Sequence, residues 1–175
     1  MSLSLHAAII PNWLQQLGAL ANLLDKAEAL RATKGLAERD LIALRLTDDM
    51  LPFGYQVKSC GDHTRGALAG VRAGSFSPSR AMWPETLYGL RDLVREAIAE
   101  CESVGVDDLA GLAANDMAFT MGEKVRYDFT VQDFLLSFST PNLYFHATTA
   151  YDILRANGAE IGKQHYLGAL RMKPA

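Results

Sequence analysis

A chain of 175 residues, 49% hydrophobic and 21% charged, is about one domain long. It is too apolar for a disordered or fibrous protein, and long enough to bury a core without disulfide or metal staples. Its net charge of −3 falls as nine Lys/Arg against seven Asp/Glu in residues 1–80, and eight against thirteen in residues 81–175. Neither half is basic enough for nucleic-acid binding, and the mild acidity suits a soluble cytoplasmic protein.

The opening Met1-Ser2-Leu3-Ser4-Leu5-His6 lacks the basic start of a signal peptide. From there, Ile10, Trp13, Leu14, Leu17, Leu20, Ala21, Leu24 and Ala27 recur at steps of three and four. They predict a long first helix over 4–31, capped by Ser4, with Lys34-Gly35 ending the region. Pro11 either bends this helix or marks its true start. A short helix is predicted over Glu38 to Leu44. A second long helix is predicted from about Asp49 to Leu68, with Asp48 or Asp49 as cap and Pro52 in its first turn. Residues 71–83 then read as a loop.

A third helix is predicted from Pro84 to about Ser103, with a stripe of Leu87, Leu90, Leu93, Val94, Ile98 and Cys101; Glu96, Glu100 and Glu102 form its solvated face. Alternating residues 118–129 around Gly122-Glu123 predict a small β-hairpin with a two-residue turn. The fourth long helix is predicted over Val131 to Asn157, capped by Thr130, interrupted at Thr140-Pro141 and closed by Gly158. The tail from Ala159 to Ala175 reads as loosely attached. These elements give an all-α fold, a four-helix bundle with one small hairpin before the last long helix. No run approaches 18 uninterrupted apolar residues, so no membrane span is expected.

Bundles place chemistry between inward-facing side chains of adjacent helices. HExxH, the P-loop, GxGxxG and GxSxG are all missing from the sequence, as are the ExxH pairs of di-iron bundles. Cys60 and Cys101 form no CxxC pair and are expected as free thiols. His146 stands in the most apolar stretch of the chain, four residues after Asn142 and on the same helical face. It is either a buried histidine with a hydrogen-bond partner across the bundle, or a metal ligand or general base. Gln56, Cys60 and His63 at i, i+4 and i+7 form one polar stripe, which either faces inward to complete a site with His146 or faces solvent or a second copy. Asp48 and Asp49 are caps, or else inward carboxylates at the bundle mouth. Tyr127, Tyr144, Phe145 and Tyr151 suit core and hairpin packing better than a base-stacking platform.

Two strings carry a family resemblance: Leu46-Thr47-Asp48-Asp49-Met50-Leu51-Pro52 with Gln56-Val57, and Pro141-Asn142-Leu143-Tyr144-Phe145-His146-Ala147-Thr148-Thr149-Ala150-Tyr151 running on through Leu154-Arg155 to Gly158. With the opening helix, they make nearly the whole chain similar to an uncharacterised bacterial branch of the DinB-like superfamily, known as a domain of unknown function. The resemblance implies a DinB-like four-helix bundle, commonly a homodimer. It also implies a metal site of three histidines, one on the second helix and an HxxxH pair on the last, and relatives that use mycothiol, bacillithiol or glutathione. Carried over by position, His146 falls on the second histidine of that pair, Asn142 on the first and Gln56 near the third. Two imidazoles are thus replaced by amides, weak ligands for zinc or nickel, so a divalent metal would be held poorly unless Asp49, Cys60 or His63 compensated.

The sequence therefore supports two expectations. One is a metal- or thiol-cofactor-dependent transferase or hydrolase with a degenerate site at His146, Gln56 and Asn142. The other is a non-catalytic dimeric protein that binds a small thiol, another small molecule or a partner in the same cleft, where Asp49, Cys60, His63 and Tyr151 also lie.

Overall fold

The computed structural model of the chain describes residues 3–173; Met1 and Ser2 of the opening segment and Pro174 and Ala175 of the tail lie outside them. The elements run α1 (Leu5–Lys34), α2 (Glu38–Ile42), α3 (Phe53–Gly61), α4 (Ala67–Ala73), β1 (Ser75–Phe76), α5 (Leu87–Glu102), β2 (Asp116–Met121), β3 (Val125–Thr130), α6 (Val131–Asp133), α7 (Thr140–Ala156) and α8 (Lys163–Leu167). A π turn at Asp62–Gly66 joins α3 to α4, and a second at Phe134–Ser139 joins α6 to α7. The bundle is therefore built from four rods: α1, α3–α4, α5 and α6–α7.

Local chemistry sets the ends of α1. The Ser4 hydroxyl accepts from the Ala7 N–H at 3.1 Å, and Gly35 turns out of the helix in the left-handed region at φ 64°. Pro11 lies inside the helix, which begins six residues before it. The start of the second rod differs from expectation. Pro52, not Asp48 or Asp49, is its N-cap residue, because Thr47 to Met50 form an exposed turn in which the Thr47 hydroxyl bonds the Asp49 carboxylate. The rod also runs on past Leu68 to Ala73, and Gly74 at φ 74° ends it. Pro84 likewise precedes the third rod: Thr86 caps α5 by accepting from the Gly89 N–H at 3.1 Å.

The segment predicted as a loop over 71–83 contributes β1, which pairs in parallel with β2, Ser75 opposite Ala118 and Phe76 opposite Phe119. The sheet thus has three strands in the order β1-β2-β3. The hairpin turn holds three residues, since Met121 pairs with Val125 and Gly122 takes φ 64°. Met117, Ala118 and Phe119 of β2 are buried.

Each π turn has a chemical occasion. Pro141 has no N–H for the Ser137 carbonyl and its ring would crowd it; the ladder widens immediately before. In the first turn the Thr64 hydroxyl donates to the Cys60 carbonyl at 2.7 Å, partnering a main-chain acceptor where the regular ladder is broken. Trp13 of α1 is fully buried where the rods meet, and its indole N–H donates to the Thr140 hydroxyl at 2.9 Å.

The tail is docked rather than loose, because α1 offers it polar anchors. The Gln15 side-chain amide donates to the Leu167 carbonyl at 2.7 Å, and Arg171 donates to the Pro11 carbonyl at 2.6 Å and to the Asn12 amide oxygen at 2.6 Å. Gly168 sits at φ 63°, where a Cβ would come within 3.0 Å of the Ala19 Cβ. Gly168→Ala is expected to cost about 1–2 kcal/mol and to expose residues 160–173 to cleavage. Limited proteolysis read by mass spectrometry checks this, and an unchanged digestion pattern would count against the docked tail.

Candidate functional site

The α3 and α7 helices pack side by side and bring Gln56 and His146 together from positions ninety residues apart. Gln56 is buried at 2% exposure, and His146 is half-buried. The Gln56 amide N–H donates to the Leu51 carbonyl at 2.8 Å, which leaves its oxygen facing His146 Nδ1 at 2.7 Å. An amide oxygen only accepts, so Nδ1 carries the proton and donates. His146 Nε2 then holds a lone pair, and it makes no hydrogen bond among the described residues. Burial, with the nearby Lys58 ammonium, holds the His146 pKa down at about 4, so the ring is neutral at pH 7.

His63 lies beside it on the first π turn. The two imidazole centroids are 5.8 Å apart, with planes 18° from parallel. Phe76 and Phe138 meet the His63 ring edge-on, and its Nδ1 is buried with no partner among the described residues. Burial first, then the His146 and Lys58 charges, push its pKa down to about 3. The polar stripe Gln56–Cys60–His63 thus faces inward.

Its third member is not reactive. The Cys60 thiol is fully buried, with Sγ 4.0 Å from the Leu143 carbonyl, and burial pushes its pKa far above the ordinary thiol value. Cys101, also buried and beside Glu100 and Glu102, is pushed up to about 12.

Three other candidates lie apart. Asn142 turns back on its own helix and donates to the Phe138 carbonyl at 2.8 Å, the acceptor at the edge of the second π turn. Asp49 is exposed, and its hydrogen bond to Thr47 lowers its pKa. Tyr151 sets its ring against Tyr166 of α8, with centroids 6.3 Å apart.

The sequence reading missed Lys58, Tyr55 and Trp83. Lys58 is buried at 7% exposure and donates to the Asp62 carboxylate at 2.6 Å and to the Ser79 carbonyl at 2.7 Å. The only signal for it was the opposite charge of Asp62 at i, i+4. Tyr55 stands edge-on to both Trp83 and His146, each at 5.9 Å. Gly54 admits this arrangement: a Cβ there would lie 2.4 Å from the Trp83 ring.

A divalent metal does not fit this donor set. A protein zinc site takes three or four imidazole, thiolate or carboxylate ligands. Here the Gln56 oxygen is committed to His146, the Asn142 side chain is tethered to its own helix through its N–H, and Cys60 is held as the thiol. Among the described residues, no three His, Cys, Asp or Glu converge on a point that could hold a metal. The arrangement offers instead a pair of neutral imidazoles, one with its tautomer fixed and an acceptor nitrogen free.

Residues 5–167 match the model of a family described as Domain of unknown function (DUF1993). Among solved structures, the crystal structure of a DinB family member protein from Shewanella denitrificans has 29% sequence identity and a TM-score of 0.82, covering 98% of this chain and 96% of that one. No curated protein matches the chain. The three-stranded sheet and bundle fit that DinB-like fold. No helix among the described residues is long and apolar enough to cross a membrane.

Proposed function

From a chain that belongs to the family Domain of unknown function (DUF1993) and folds as a DinB-like bundle, we propose a metal-independent binding protein for a small neutral hydrogen-bond donor, such as a thiol or an amide. The observation that carries this is the Leu51–Gln56–His146 relay. It consumes the amide that a metal would need and presents the unprotonated Nε2 of His146 to a donor. His63 adds a second neutral ring whose buried Nδ1 lacks a partner. Among the described residues neither ring is hydrogen-bonded to a carboxylate or a nucleophile, so the arrangement favours binding over turnover.

Two measurements test it. Untagged protein, purified without chelator and dialysed against zinc and nickel, is expected to hold far less than one metal per chain by elemental analysis. Near-stoichiometric metal, lost in His146→Ala, would overturn the proposal. Reduced glutathione and dithiothreitol are expected to raise the melting temperature of the wild type but not of His146→Phe; at ten times Kd the gain is about 1.4 kcal/mol.

A further inference from the structure

A cleft of ≈ 240 Å³ opens between the α3–α4 rod, Leu93 of α5 and the segment 79–84. Neither histidine lines it. Its lining includes Met82, Pro84 and Leu93, together with the ion pair of the buried Lys58 and the partly buried Asp62. Gly61 keeps it open, since a Cβ there meets nothing within 4 Å. The first π turn places Asp62, Arg65 and Gly66 on the lining, and such turns recur at functional sites.

Lys58 is the unspent group. An ammonium has three N–H donors, and two of them go to Asp62 and Ser79. Burying an ammonium is costly, and this one lines a cleft with mainly apolar walls. Asp62 pairs with Lys58, and Glu96, outside the lining, pairs with Arg65, so both cations of the lining are compensated. An apolar body fits the walls, and a single carboxylate matches the remaining ammonium N–H of Lys58. A cavity of about 150 Å³ accepts benzene, so this one has room for a ring bearing a short acid arm.

We propose that this cleft is a second ligand site, for a small monocarboxylate with an apolar body of about the size of phenylacetate. The test is titration of the full chain with phenylacetate, followed by ¹H–¹⁵N chemical shifts of Gly61 and Gly66 and by calorimetry. Phenylacetate is expected to shift both amides and to bind about ten-fold more tightly than neutral 2-phenylethanol or cationic phenethylamine. Gly61→Leu, which fills the cleft from a position with free space, is expected to weaken binding at least about ten-fold while unfolding at a similar temperature. The double variant Lys58→Met/Asp62→Leu removes the ion pair without orphaning either charge, and is expected to abolish the preference for the acid over the alcohol. Unmoved Gly61 and Gly66 amides, equal affinity for acid and alcohol, or full affinity in Gly61→Leu would each overturn the proposal.

Discussion

Trp13→Ala is expected to cost about 3–5 kcal/mol, and to lower the melting temperature by about 10 °C or more. The indole is fully buried against the junction of the rods, so its loss leaves a cavity that the neighbouring rods close only in part. The Thr140 hydroxyl also loses its indole partner, at the first residue after the second π turn. Trp13→Phe separates the two contributions. It restores most of the volume while the Thr140 hydroxyl oxygen still loses its donor, so about 1–2 kcal/mol is expected. Urea denaturation gives both values. A loss below about 1 kcal/mol for the alanine variant would mean that Trp13 does not hold the rods together.

The second large effect is on acid stability. His63 and His146 hold pKa values near 3 and 4 in the folded chain, against 6.5 for a free imidazole. The unfolded chain therefore binds more protons than the folded one between these limits. Stability is complete above about pH 6.5 and falls as pH drops toward 4, by up to about 1.4 kcal/mol per pH unit for each ring. The total is on the order of several kcal/mol. Lys58 enlarges the total, since its positive charge opposes both protonations. His63→Phe suits a pocket already bordered by Phe76 and Phe138, and is expected to flatten the difference curve between pH 4 and 7. Parallel curves for the variant and the wild type would show that His63 titrates alike in the folded and unfolded chain, and would overturn this account.

The parts of the fold that could be read from the sequence are those fixed by neighbours along the chain. Ser4 and Gly35 bound α1 by local hydrogen bonding, and Thr130 starts the last rod by the same device, accepting from the Asp133 N–H at 3.1 Å. Strand β1 was invisible: two residues carry no period, and its parallel partner lies some forty positions away. The docked tail was missed for a related reason, since Gln15 and Arg171 read as surface residues until the chain folds back on itself.

At the site, spacing and resemblance both led to Gln56 and His146, and the polar stripe led to His63. Asn142 shares a helical face with His146, but spacing alone does not show that its amide N–H goes to a carbonyl four residues back. Lys58 was passed over because lysine is usually solvated, and only tertiary structure shows one with its ammonium held inside.

The first π turn carries a consequence for comparing this chain with its relatives. Such a turn is one residue more than a regular helix of the same rise needs. A relative with a plain helix here would have a rod one position shorter and every cap unchanged. An alignment that tolerates no gap inside helices would then pair His63 with its neighbour's wrong column. That register error amounts to about 100° of rotation, enough to turn an inward ring toward solvent. Relatives that keep an inward imidazole at this level are therefore best sought at two adjacent columns, with a gap allowed between Asp62 and Gly66.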